Sequence, residues 1–278
     1  MISKSNIKLF NELEPSLWTD TDESEQYICE NSFIDDVKFI YQKYIDIDLD
    51  STGSIKEELL HDLIRNRLKK NLPSYRYEII SKTNYQDKCY GEFEATYIYN
   101  SKKKIDICII DKKRYKPVAF INCKYPLCSV GKNHNNFVEQ ITGECYHIHK
   151  CNKDVPLFIF NMCMRKTPIL KTDEVTKEKY ILKFDDNISE ISRWESVTKE
   201  LLDDKFVNGV CYCMFDDELL ENTNLKDLSM DEFKQVHQND YQLSFSSYKH
   251  CDNLIYNDIE KFINRIIDCV NTYEIENP

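Results

Sequence analysis

Residues 104–124, KIDICIIDKKRYKPVAFINCK, set Asp106 inside one short apolar run and Asn122 and Lys124 at the end of the next. A carboxylate left unpaired in a buried strand is costly, so these polar residues ask for a task. Neighbouring strands carrying an Asp and a Lys can bring both side chains to one edge of a sheet. Carboxylate oxygens gathered there bind a hard divalent cation such as Mg²⁺ together with water and phosphate oxygens. Such an ion polarises a phosphoryl oxygen and acidifies a bound water. A nearby ammonium orients that water or stabilises the charge that develops. The chemistry these residue types suit is hydrolysis of a phosphodiester.

Elements that could position them are legible on either side. Residues 32–47 (SFIDDVKFIYQKYIDI) carry apolar residues at helical intervals. A second helix is expected over 54–72, with Ser54 and Glu57 in capping-box spacing. Ile55, Leu59, Leu60, Leu63, Ile64 and Leu68 form its apolar arc; Glu57 falls at the edge of that arc and Glu58 points away. Strand patterns follow at 75–80, 93–100, 104–110 and 117–125, the last three joined by basic turns as a meander. Residues 135–150 read as a helix capped by Asn135 or Asn136. The continuous apolar run 155–164 reads as a strand buried on both faces. Beyond it, helices are expected over 191–204 and 257–274 and a strand over 206–215.

The order helix, strand meander, helix, buried strand, with Asp106 and then Asn122-Cys123-Lys124, resembles the PD-(D/E)XK nuclease core over roughly residues 54–162. The resemblance implies an α/β fold: a restriction-endonuclease-like core with a mixed central β-sheet flanked by helices, plus N- and C-terminal helical additions. It divides the chain into a 1–53 helical extension, a 54–164 core and a 165–278 α/β extension packed on the same domain. Asp106 matches the family's metal-binding Asp, Lys124 its catalytic Lys, and Glu57 the acidic residue often found on the first helix. The implied activity is that of a Mg²⁺- or Mn²⁺-dependent endonuclease acting on DNA, of restriction or defence type, with RNA an open alternative. A homodimer is compatible with cutting both strands.

One position departs from the family pattern. Asn122 stands where the family has Asp or Glu, and an amide offers a metal its oxygen but no charge. Some relatives carry the second carboxylate on the following helix, which makes Glu139 or Glu144 its replacement here. Asp106, Asn122, Glu139 and Glu144 are thus the metal-ligand candidates; Lys124 and Glu57 complete the catalytic set. The other reading is a degenerate module that grips nucleic acid or a protein without cutting. Lys132, Asn133, His134 and Asn135, in what reads as a loop over 130–136, and Gln140 on the helix are candidates for nucleic-acid contact.

Composition sets the remaining bounds. Apolar residues make up 41% and charged residues 31% of 278, enough for a sizeable core. The net charge of −11 argues against a broad polyanion-binding surface but leaves room for a local basic groove. Most of the 12 cysteines sit in apolar runs, the pattern of buried thiols in a reducing compartment. The cluster Cys145, His147, His149, Cys151 lacks the paired spacing of a structural zinc site. Without a long apolar segment, no membrane association is expected, and the chain reads as cytoplasmic, with the nucleus an alternative.

Overall fold

A computed structural model describes residues 32–49, 55–81, 93–97, 101–126, 130–221, 225–240 and 242–276. The expected cap Ser54, the residues 98–100 assigned to a strand, and most of the 1–53 extension lie outside them. Helices α1 (Phe33–Asp46) and α2 (Ile55–Asn71) precede strands β1 (Tyr77–Ser81), β2 (Phe93–Thr96), β3 (Lys102–Ile105), β4 (Ile107–Asp111) and β5 (Lys116–Lys124). Helix α3 (Val130–Cys151) leads to β6 (Leu157–Met164), a hairpin of β7 (Lys166–Thr172) and β8 (Lys179–Asp186), helix α4 (Ile188–Asp203) and β9 (Gly209–Asp217). Helix α5 (Met230–Asp240), the short strands β10 (Leu243–Phe245) and β11 (Ile255–Tyr256), and helix α6 (Ile259–Glu276) complete the chain.

The central sheet has seven strands in the order β1-β4-β5-β6-β9-β10, with β11 paired to β9. It is mixed: β4 runs antiparallel to both β1 and β5, whereas β5, β6 and β9 are parallel. The antiparallel half is joined by a tight turn at 112–115, where the Asp111 carboxylate accepts the main-chain N–H groups of Lys113 and Arg114. The parallel half needs crossovers, and α3 and α4 supply them. Strand β9, from the chain's last third, lies in register beside β6, so residues 165–278 contribute to this same sheet.

Helices cover both faces. Alternate residues of β6 divide between two cores: Phe158, Phe160 and Met162 pack with α1, α2 and α6, while Leu157, Ile159 and Cys163 pack with α3 and α4. All eight residues of β6 are buried, as its unbroken apolar run predicts. The same alternation on β5 sends Ala119, Ile121 and Cys123 to the first core and Phe120 to the second. Asn122 and Lys124 follow Phe120 by steps of two, so they share its face.

Three expectations need correction. The run 104–110 is not one strand: the chain bends at Asp106, and β3 leaves the main sheet to pair with β2 in a separate two-stranded ribbon. Helix α3 starts at Val130, not at residue 135, so the anticipated 130–136 loop is its first turns. Glu58 does not point to solvent. It is buried, together with His61, Asp62, Arg65 and Asn66, because α2 is packed by α1, α6 and β1 on several sides. Asp62 and Arg65 form a buried ion pair at 3.2 Å that supports this polar face.

A polar row crosses the α3/α4 face of the sheet. Lys124 is in register with Asn161, Asn161 with Tyr212, and Tyr212 with Tyr256. The Tyr212 hydroxyl meets Thr198 Oγ1 of α4 at 3.0 Å. One turn earlier on α4, Glu195 is fully buried. Burial pushes its carboxyl up to about 7 from 4.5, with the Tyr256 hydroxyl and the His250 main chain pulling the other way. Between those two pH values the folded chain binds a proton that the unfolded chain has lost. Stability from this group is therefore complete below pH 4.5 and declines as pH rises to about 7. Glu195→Gln flattens that decline in denaturant midpoints measured across the interval. An unaltered slope would assign the titration to another group.

Candidate functional site

The site is built at the C-terminal end of β5, where the sheet gives up its antiparallel partner. Ile107 of β4 faces Ile121 of β5, so continued pairing would bring residue 105 opposite Cys123. The chain bends at Asp106 instead, and the Asp106 Oδ2 accepts the Cys123 main-chain N–H at 2.7 Å. The carboxylate thus substitutes for the missing ladder acceptor and is fixed beside the last two residues of β5. This accounts for an acidic residue at the head of an otherwise apolar strand.

Lys124, the next residue, reaches the other sheet face toward α3. Its Nζ lies 3.4 Å from Glu144 Oε2, and Lys103 Nζ of the β2/β3 ribbon lies 2.6 Å from Glu144 Oε1. Glu144 is largely buried, so both oxygens are held by ammonium groups in a partly dry setting. Burial pulls the Lys124 ammonium down, but the charges of Asp106 and then Glu144 more than offset it, and the net shift is upward. Lys124 is paired with Glu144, and the charge of Asp106 also favours its cationic form.

Cys123, between Asn122 and Lys124, points to the opposite core. One donor atom each from His61 of α2, Asp106 and Cys123 lie within 4.8 Å of one another. Cys123 and His61 are each 7% exposed, and His61 Nδ1 is buried without a hydrogen bond. Burial, and then the Asp106 charge, raise the Cys123 thiol well above its usual value; Lys124 opposes them and Glu57 adds to them. Glu57 is exposed, one turn before His61 on the same helix.

The structure thus brings Asp106, Lys124 and Glu144 together and leaves Glu57 at the margin. Asn122 is 3% exposed on the Lys124 face, and its amide nitrogen has no hydrogen-bond partner among the described residues. Glu139, Asn135 and Gln140 are exposed on α3. His134 is not a loop residue: it is buried in α3 and stacked on Trp194 of α4, ring planes 10° apart. The side chains of Lys132 and Asn133 lie outside the described residues.

Oxygen donors for Mg²⁺ or Mn²⁺ are a poorer match to this arrangement. No second carboxylate joins Asp106 in a group of three or more donors among the described residues. Both Glu144 oxygens already face ammonium groups.

Two participants leave little trace in the sequence. His61 sits in EELLHDL, where its spacing of four from Glu57 was the available signal. Lys103 reads as one of three consecutive lysines, and only the departure of β3 from the sheet brings it to Glu144. Comparison with protein-family models, curated proteins and solved structures finds no match to this chain.

Proposed function

We propose that the chain is a metal-dependent phosphodiesterase acting on DNA, with its centre at the end of β5. The observation that carries this reading is Lys124, paired with Glu144 at the strand end to which Asp106 is fastened through the Cys123 main chain. An ammonium so placed stabilises negative charge on a phosphoryl oxygen or orients an attacking water. The succession α2, β1, β4, β5, α3, β6, with β6 parallel to β5, supports the resemblance to the PD-(D/E)XK core. Glu144 of the following helix reaches the same strand end, as the ion partner of Lys124. A cation bound at Asp106 would supply Lewis-acid polarisation of the phosphate.

The exposed Lys102 and Lys104 flank Lys103 on the ribbon strand β3 and offer positive charge next to the centre. Phosphate backbone approaching there meets lysines despite the chain's overall acidity. Binding to duplex DNA then weakens steeply as salt rises. Purified protein incubated with supercoiled plasmid and a divalent cation gives nicked circles. The absence of both nicking and salt-dependent binding would overturn the proposal.

Asn122 favours a second reading, a nucleic-acid-binding module without cleavage. A neutral amide occupies a buried position two residues before Lys124 on the same sheet face, and both oxygens of Glu144 are engaged by ammonium groups. Salt-dependent DNA binding without nicking, whichever divalent ion is supplied, would select this reading. Asn122→Asp sharpens the choice. A carboxylate at a position 3% exposed is costly without a cation. The variant therefore unfolds several degrees below wild type in chelator and recovers part of that loss on adding the divalent ion. Equal melting with and without the ion would show that no cation comes within reach of residue 122.

A further inference from the structure

We infer that His61, Asp106 and Cys123 form a three-ligand site for a zinc-class divalent ion. It rests on the preceding reading only in sharing Asp106, and it assigns that centre a different ion from Mg²⁺. The donors are a ring nitrogen, a carboxylate oxygen and a thiolate sulfur, all within 4.8 Å of one another. Mixed nitrogen, sulfur and oxygen ligands select zinc, cobalt or a similar ion, whereas Mg²⁺ takes oxygen.

The site has the features that a bound ion requires. Bonds of about 2.0–2.3 Å in a tetrahedron put ligand atoms roughly 3.3–3.8 Å apart, so side-chain adjustments of about 1 Å close the set. The three donors come from different elements: α2, the β3/β4 bend and β5. A hydrogen bond from the Cys123 main chain fixes Asp106 through Oδ2 and leaves Oδ1 for an ion. His61 is more than nine-tenths buried, and its Nδ1 has no hydrogen-bond partner among the described residues, an expensive state for a buried polar atom. The half-buried Asp106 opens the fourth position to solvent. Three protein ligands and one open position are the arrangement of catalytic zinc rather than of a closed structural site. Binding removes the Cys123 proton to solvent, as any thiolate ligand requires.

Cobalt is the probe. Full-length protein stripped with chelator and titrated with Co²⁺ develops a near-ultraviolet thiolate-to-cobalt charge-transfer band and the visible bands of a four-coordinate ion, saturating at one equivalent. Zn²⁺ abolishes both. Cys123→Ser removes the charge-transfer band, whereas Cys145→Ser, a buried thiol of α3 outside the group, retains it. His61→Ala weakens Co²⁺ binding at least tenfold, the smaller end of what even outer partners of a metal site contribute. Should a variant fold poorly, the wild type alone decides: Zn²⁺ raises its melting temperature and equimolar Mg²⁺ does not. A charge-transfer band that survives Cys123→Ser, or Co²⁺ spectra with no thiolate band at all, would overturn the inference. If such spectra accompany Mg²⁺-supported nicking lost in Lys124→Ala, the zinc-class site falls and the phosphodiesterase stands. A thiolate band in a protein that never cuts DNA does the opposite: the zinc-class site stands and the phosphodiesterase falls.

Discussion

Replacing Lys124 with alanine lowers plasmid nicking by about a hundredfold to a thousandfold, the range for deleting one charge-stabilising donor from a transition state. The fold should survive the change. Glu144 keeps its 2.6 Å partner Lys103, so the substitution strands no buried carboxylate. Glu144→Gln is the informative companion. It releases Lys124 from one of its two anionic neighbours while Asp106 remains, and activity falls by a smaller factor than in Lys124→Ala. Single-turnover rates for the two variants, with circular dichroism as a control for folding, check the ordering. Nicking at the wild-type rate by Lys124→Ala would place any activity elsewhere in the chain or in a contaminant.

The largest stability effect is expected at Phe160. Its ring is fully buried in the middle of β6 and meets Phe262 of α6 with centroids 5.5 Å apart. Phe160→Ala leaves a cavity between the central parallel strand and the C-terminal helix, with a cost of about 3–5 kcal/mol. Residues on both sides are tied into the sheet, so collapse into the space is limited. Denaturant unfolding of the variant measures the loss. Phe262→Ala in the same background then costs less than it does alone, because the two changes enlarge one cavity.

Several parts of this architecture could be read from periodicity alone. The helices at 33–46 and 259–276, the β4/β5 pair and the buried β6 all carry a pattern that continues through the element. The break at Asp106 could not, since KIDICII has the composition of an uninterrupted strand. What decides the bend is that β3 finds its partner in β2, a non-local fact. The start of α3 was obscured for a similar reason: VGKNHNN has loop composition, yet Val130 and His134 are buried one turn apart and extend the helix's packed side. Glu58 illustrates the limit of an apolar arc as a guide. It marks the face buried first, and says nothing of further elements packing on the polar side.

Between Glu139 and Glu144 helical geometry alone allowed either, and only the Lys124 and Lys103 contacts distinguish them. Cys123 was legible as a core thiol, and it is one. Its proximity to His61 depends on how α2 rests on the end of β5, information absent from either segment taken alone. The hairpin β7/β8 and helix α5 had weak patterns because they lie outside the main sheet's alternation of buried residues.

Strand β5 joins a neighbour reached through the turn 112–115 to another reached only across the whole of α3. The carboxylate clasp on Cys123 spans 17 residues and the Glu144 grip on Lys124 spans 20, so the two differ not in reach but in what carries them, a bend of the sheet in one case and an overlying helix in the other. When thermal fluctuation lifts α3, the ammonium loses one restraint while Asp106 stays where it was. A single strand end is thus tied both within its own sheet and to the helix lying over it.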